Sequence, residues 1–76
     1  MSKGDELSAR EMDVARAIAD GLTSKEIGQR LGLNEHTIKN YTYRAMDKLG
    51  VHNRVAVAKW VWERDLANKQ TAEMDR

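Results

Sequence analysis

Gly21-Leu22-Thr23 and Gly32-Leu33-Asn34 carry the same instruction twice: a glycine that ends one helix, then a capping side chain that starts the next. Between them lies room for a helix of only about two turns, too short to be stable alone in water. Any fold for this chain must therefore bury that segment against its neighbours. Thr23 caps it with Glu26 three residues on, and Ile27 and Leu31 share one face. Gly28 lies on the inward side, where the missing side chain predicts close approach by another helix.

The same punctuation delimits the other helices. Ser8 and Glu11 form a capping-box pattern, Leu7 is placed to staple onto Met12, and Met12, Val14, Ala15, Ile18 and Ala19 recur at helical spacing. The first helix is expected over about Ala9 to Asp20, ending at Gly21. Asn34 caps a third, Glu35 to Leu49, whose inward stripe is Ile38, Tyr41, Thr42, Ala45, Met46 and Leu49, with Gly50 as its stop. Asn53 opens a fourth over 54–67, where Val55, Val57, Ala58, Trp60, Val61, Trp62 and Leu66 make more than one face apolar. The expected architecture is all-α with four helices: an N-terminal arm over residues 1–7, a domain over 8–67, and a frayed polar tail over 68–76.

Composition narrows the function classes. A chain of 76 residues supports one small core and no deep substrate cleft. With no Cys, and with His36 and His52 far apart, neither a metal site nor a cysteine nucleophile is expected, and no cofactor is implied. No nucleophile constellation or phosphate loop points to an enzyme. No stretch approaches the roughly 18 apolar residues of a membrane span and none resembles a signal peptide, so a cytoplasmic location is expected. The net charge of +1 is small, but its distribution is uneven. Residues 1–20 carry three basic against five acidic side chains, and residues 34–54 carry four basic against two acidic. The positive charge gathers around the third helix.

Two helices joined by a three-residue turn containing Gly, the second longer and more basic, form a helix-turn-helix pattern from about Ser24 to Leu49. With the apolar stripe inward, Glu35, His36, Lys39, Asn40 and Tyr43 share the outer face. Lys39 suits guanine O6 and N7, and Asn40 suits adenine. Thr23, Ser24, Lys25, Thr37, Arg44 and Lys48 are positioned for phosphate contact. Tyr41 reads as core and His52 as loop structure. Arg54 is expected to pair internally with Glu11 or Glu26.

At this point the stretches Leu7-Ser8-Ala9-Arg10-Glu11, Asp20 to Gly28, Thr37-Ile38-Lys39-Asn40-Tyr41 and Lys48 to Arg54 resemble the LuxR/GerE family of DNA-binding domains, from about Leu7 to Val61 without a gap. The resemblance implies a third helix that enters the major groove of double-stranded DNA, a fourth that often pairs two domains, and binding to two half-sites. The chain departs from the family pattern at Tyr41, often His; at Gly28, usually Ala; at Ala45, commonly a larger aliphatic; and at Val55-Ala56, where a Thr-Glu pair is usual.

The apolar fourth helix offers a stripe of Val55, Lys59, Trp62 and Leu66 for a homodimer, with Val57, Ala58 and Val61 left to the monomer core. One of Trp60 and Trp62 is expected in the core and the other at an interface. A sequence-specific transcription regulator acting as a homodimer is the expected function. The alternative is an interaction module of the same fold that binds RNA polymerase or another regulator. A complete small protein and the DNA-binding part of a longer regulator both remain open.

Overall fold

The computed structural model describes residues 7–74. Four helices follow in order: α1 (Ala9–Ala19), α2 (Ser24–Leu31), α3 (Glu35–Leu49) and α4 (Arg54–Met74). No strand occurs among the described residues. The all-α expectation holds, and the beginnings of all four helices fall where their capping residues stand.

Each cap is made. Glu11 N–H donates to Ser8 Oγ at 3.1 Å while Ser8 N–H donates back to Glu11 Oε1 at 2.9 Å. Thr23 and Glu26 repeat the exchange at 2.8 and 3.2 Å. Those hydrogen bonds, led by the one from the Thr23 backbone N–H, hold the Glu26 carboxyl below its ordinary value. Asn34 Oδ1 accepts from Thr37 N–H and Asn53 Oδ1 from Ala56 N–H, each at 2.8 Å.

The core takes one fully buried branched side chain from every helix: Val14, Ile27, Ile38 and Val57. Ala15, Ala17, Ile18, Leu49, Ala58 and Val61 surround them. α1 packs against all three other helices, while α2 rests on α3 and α1 and, among the described residues, makes no packing contact with α4. Leu7, ahead of the first cap, also lies against this cluster.

Two expectations are corrected here. The neighbour that crowds Gly28 is the turn that follows α2, not another helix. A Cβ on Gly28 would sit 2.5 Å from the Leu33 carbonyl oxygen. That turn is drawn in by Gly32 at φ 72° and by the Leu33 N–H bond to the Gly28 carbonyl at 2.9 Å. The fourth helix continues to Met74 instead of fraying from Asn68. Between Ala67 and Met74 the sequence contains no Gly or Pro to stop it, and Ala, Lys, Gln, Glu and Met all favour helix. Of the N-terminal arm, residues 1–6 lie outside the described residues.

Because the atom facing Gly28 is backbone and cannot rotate away, Gly28→Val should overpack the turn and destabilise the domain by about 1–3 kcal/mol. Urea unfolding followed by circular dichroism measures this, and an unchanged midpoint would contradict the geometry.

Candidate nucleic-acid interface

The inward face of α3 is set by Ile38 and Ala45, both fully buried, with Thr42 and Leu49 nearly so. Thr42 sits on that face because its hydroxyl donates to the Ile38 carbonyl at 2.9 Å. Tyr41 and Met46 lie half-buried along the edges of the stripe. The helical period then turns Glu35, His36, Lys39, Asn40 and Tyr43 outward together, and all five are exposed. Tyr43 alone leaves 63% of its surface accessible, unusual for a large aromatic in a small domain. Glu35 Oε2 stands 3.3 Å from Lys39 Nζ, one turn along the same face.

Hollows flank this face on both sides. One, of about 250 Å³, is lined by Ser24 at the start of α2, by Lys39, Thr42, Tyr43 and Met46, and by His52, Asn53 and Arg54 after α3. The other is lined by Thr37, Asn40, Tyr41 and Arg44. The Arg44 guanidinium lies 5.8 Å from the centre of the Tyr41 ring, an exposed cation steadied by an aromatic face. Lys25 is exposed on the first turn of α2, while the Thr23 hydroxyl is engaged in its cap. His52, assigned from sequence to the loop, lines the first hollow. The chain reversal after Gly50 brings it there, and its spacing in sequence carried no sign of this.

Lys48 is engaged within the domain: its ammonium donates to Glu11 Oε1 at 2.7 Å. Glu11 is 3% exposed, so its carboxylate needs a cation beside it and Lys48 is the one in reach. Lys48 therefore ties α3 to α1. The same pairing leaves Arg54 to a different partner from the two expected: it donates to the Leu22 carbonyl, still an internal contact.

On α4, Val55, Lys59, Trp62 and Leu66 are all exposed. Val55 is 72% accessible and Trp62 and Leu66 57% each. Trp62 Nε1 donates to the Ala19 carbonyl at 3.2 Å, which sets its ring against the end of α1 beside an apolar groove that includes Ile18, Val55 and Ala58. Trp60 is the tryptophan that packs on the core. Among the described residues no cluster of His, Cys, Asp and Glu could hold a metal ion. No helix among them is long and apolar enough to cross a membrane.

The Lys48 ammonium holds the Glu11 carboxyl below the ordinary glutamate value of 4.5; burial opposes this, and the Ser8 backbone N–H assists. A depressed folded value means that the unfolded chain binds the proton more readily. The stabilisation is thus complete above about pH 4.5 and is lost as pH falls through the lower folded value. Chemical denaturation at stepped pH should show stability declining below that point. Glu11→Gln should flatten the decline only in part, because Glu26 is also held low. An identical acid limb in Glu11→Gln would show that the pair does not contribute.

The family described as bacterial regulatory proteins, luxR family, matches residues 5–61. The chain is 41% identical over 61 residues to a nitrate/nitrite response regulator protein homolog of Haemophilus influenzae, covering 80% of this chain and 29% of that protein. It is 39% identical over 54 residues to the transcriptional regulatory protein DesR of Bacillus subtilis, covering 71% and 27%. Against the nitrate/nitrite response regulator protein NarL of Escherichia coli K12 it is 37% identical over 57 residues, covering 75% and 26%. The chain spans under a third of the length of these relatives.

Proposed function

We propose, since the chain belongs to the luxR family of bacterial regulatory proteins, that it is the sequence-specific DNA-binding module of a transcription regulator. In this reading α3 enters the major groove, and Glu35, His36, Lys39, Asn40 and Tyr43 meet base edges. Ser24, Lys25, Thr37 and Arg44 contact phosphates on either side, and His52 joins them from the α3 to α4 turn. Thr23 contributes through the helix end it caps. Lys48 is left out, because its ammonium is held by Glu11.

The observation that carries the reading is the division of α3 into two faces. A buried side of Ile38, Thr42, Ala45 and Leu49 anchors it, and the opposite side gathers five exposed polar or aromatic residues with hollows flanking them. A helix that served only to fill the core would gain nothing from an unburied tyrosine amid hydrogen-bonding side chains. Selection of bound sequences from random DNA, followed by titration of the best site, tests this. Lys39→Ala should weaken specific binding by about 1–3 kcal/mol and leave the melting temperature within a few degrees of the parent. Parental affinity in Lys39→Ala would mean that the face is misassigned.

The exposed apolar stripe on α4 supports a second element of the proposal. Val55, Trp62 and Leu66 lie on one side of a helix whose other side, Val57, Ala58 and Val61, belongs to the core. Paired about a two-fold axis, two such stripes would cover each other and present two α3 helices to two half-sites. The competing occupant is RNA polymerase or another regulator. Leu66→Glu should convert the sedimenting species to monomer, weakening association by more than about 1 kcal/mol, without unfolding the domain. A parent that is monomeric at every concentration, and that co-purifies with a larger regulator or polymerase, would favour the competing occupant.

A further inference from the structure

Glu35 poses a problem that the reading face does not by itself resolve. It is the first residue of α3, its side chain is 48% accessible, and it sits on the surface assigned to a polyanion. A carboxylate accepts hydrogen bonds and donates none, so phosphates repel it and two of the four base edges, those of guanine and thymine, offer it no donor. The major groove contains few groups that it can meet. Guanine presents two acceptors and thymine an acceptor with a methyl group. Adenine places an acceptor beside its amino group, and cytosine alone presents only a donor, its N4 amino group.

The geometry of Glu35 limits the choice further. Its Oε2 is 3.3 Å from Lys39 Nζ, which leaves Oε1 to accept from DNA while Lys39 donates to a guanine. Glu35 lies one helical turn before Lys39 on the same face, so the two charged heads are neighbours there. With Lys39 on a guanine, Glu35 stands over the next base. We propose that Glu35 is a specificity determinant that favours an amino-bearing base, cytosine ahead of adenine, beside the guanine contacted by Lys39, chiefly by rejecting guanine and thymine there. The proposal rests on α3 being the reading helix. It adds a negative element to that helix: part of the selectivity comes from a carboxylate that penalises wrong sites. Weaker binding to all DNA is the accompanying cost, since one anion remains on the interface.

A structural role makes a different prediction. An acidic residue at a helix start favours the helix, and Glu followed four residues later by Lys adds to this. If that were all Glu35 did, removing its charge would lower the melting temperature and leave base preference untouched.

The test uses the whole chain with the parent, Glu35→Gln and Lys39→Ala. Each is measured on the best selected site and on its three single-base variants at the position next to the Lys39-dependent guanine. The parent should bind the cytosine site about tenfold or more tighter than the guanine and thymine variants. In Glu35→Gln that ratio should fall to about twofold, because an amide both donates and accepts, while the preference for guanine at the Lys39 position persists. Binding of Glu35→Gln to random-sequence DNA should become tighter. An unchanged cytosine ratio in Glu35→Gln overturns the proposal, whether or not its melting temperature falls. If Lys39→Ala keeps every base preference of the parent, the reading face itself is wrong and the proposal falls with it. The two failures are therefore told apart by which variant is silent.

Discussion

Eight residues of α2 cannot hold a helix in water by their own hydrogen bonds, and everything at the outer surface depends on their being held. What holds them is Ile27, buried completely in a core that also receives Val14 from α1, Ile38 from α3 and Val57 from α4. That burial supplies the stability the short helix lacks, at about 1.5–3 kcal/mol for a side chain of this size. It also fixes where the α2 start stands relative to α3. The approach of the Leu33 carbonyl to Gly28 sets the other end of the same relation, since a turn this close has one way to lie. Ser24 and Lys39 line one hollow because the two constraints, at neighbouring residues of the same short helix, fix how it sits in the domain.

A second tie runs through Glu11. One oxygen of its carboxylate accepts from the Ser8 backbone, which starts α1, and from Lys48 in the last turn of α3. A buried carboxylate would be costly alone, so the pair contributes mainly by leaving no charge unmatched. The consequence is orientational. The core positions α3 by its first half and middle, through Ile38 and Ala45, and the Glu11 contact holds its far end against α1. The outward face of α3 is thereby presented at a fixed angle to the rest of the domain.

Features determined within a few residues were legible in the sequence. Ser8, Thr23, Asn34 and Asn53 cap the helices they were expected to cap, and the division of α3 follows from periodicity alone. Features that depend on the meeting of distant segments were not. Lys48 has the composition of a phosphate ligand and the position of a helix-face cation; only the fold brings Glu11, thirty-seven residues away, beneath it. Arg54 was rightly placed inside, but its partner is a carbonyl, which no side-chain pattern marks. Trp60 and Trp62 have near-identical neighbours in sequence and separate only when α1 supplies a carbonyl to one of them. His52 does lie in the loop, as its sequence position indicates, and only the fold brings it to the hollow beside Lys39. The end of α4 was missed on local grounds, because polar residues without a periodic apolar stripe can still continue a helix that has no stop signal.

A net charge of +1 looks too small for a surface that meets DNA, and the fold resolves this by where it places its anions. Glu11 is neutralised within the domain by Lys48, and Glu26 lies within its own capping box. Asp13 faces Arg10, Asp20 faces Arg30 and Asp65 faces Arg16. Those last three pairs are exposed and add little stability, but they match acidic groups with cations away from the outer face of α3. Lys25 and Arg44 make no ion pair with any described residue, so their fields stay directed outward. Over distances shorter than the roughly 8 Å screening length, it is this local arrangement and not the sum over the chain that a phosphate encounters. Glu35 and Asp47 are the anions that α3 keeps exposed, Glu35 beside Lys39. The cost of such an anion in attraction is local too, because screening confines its field to its own part of the face.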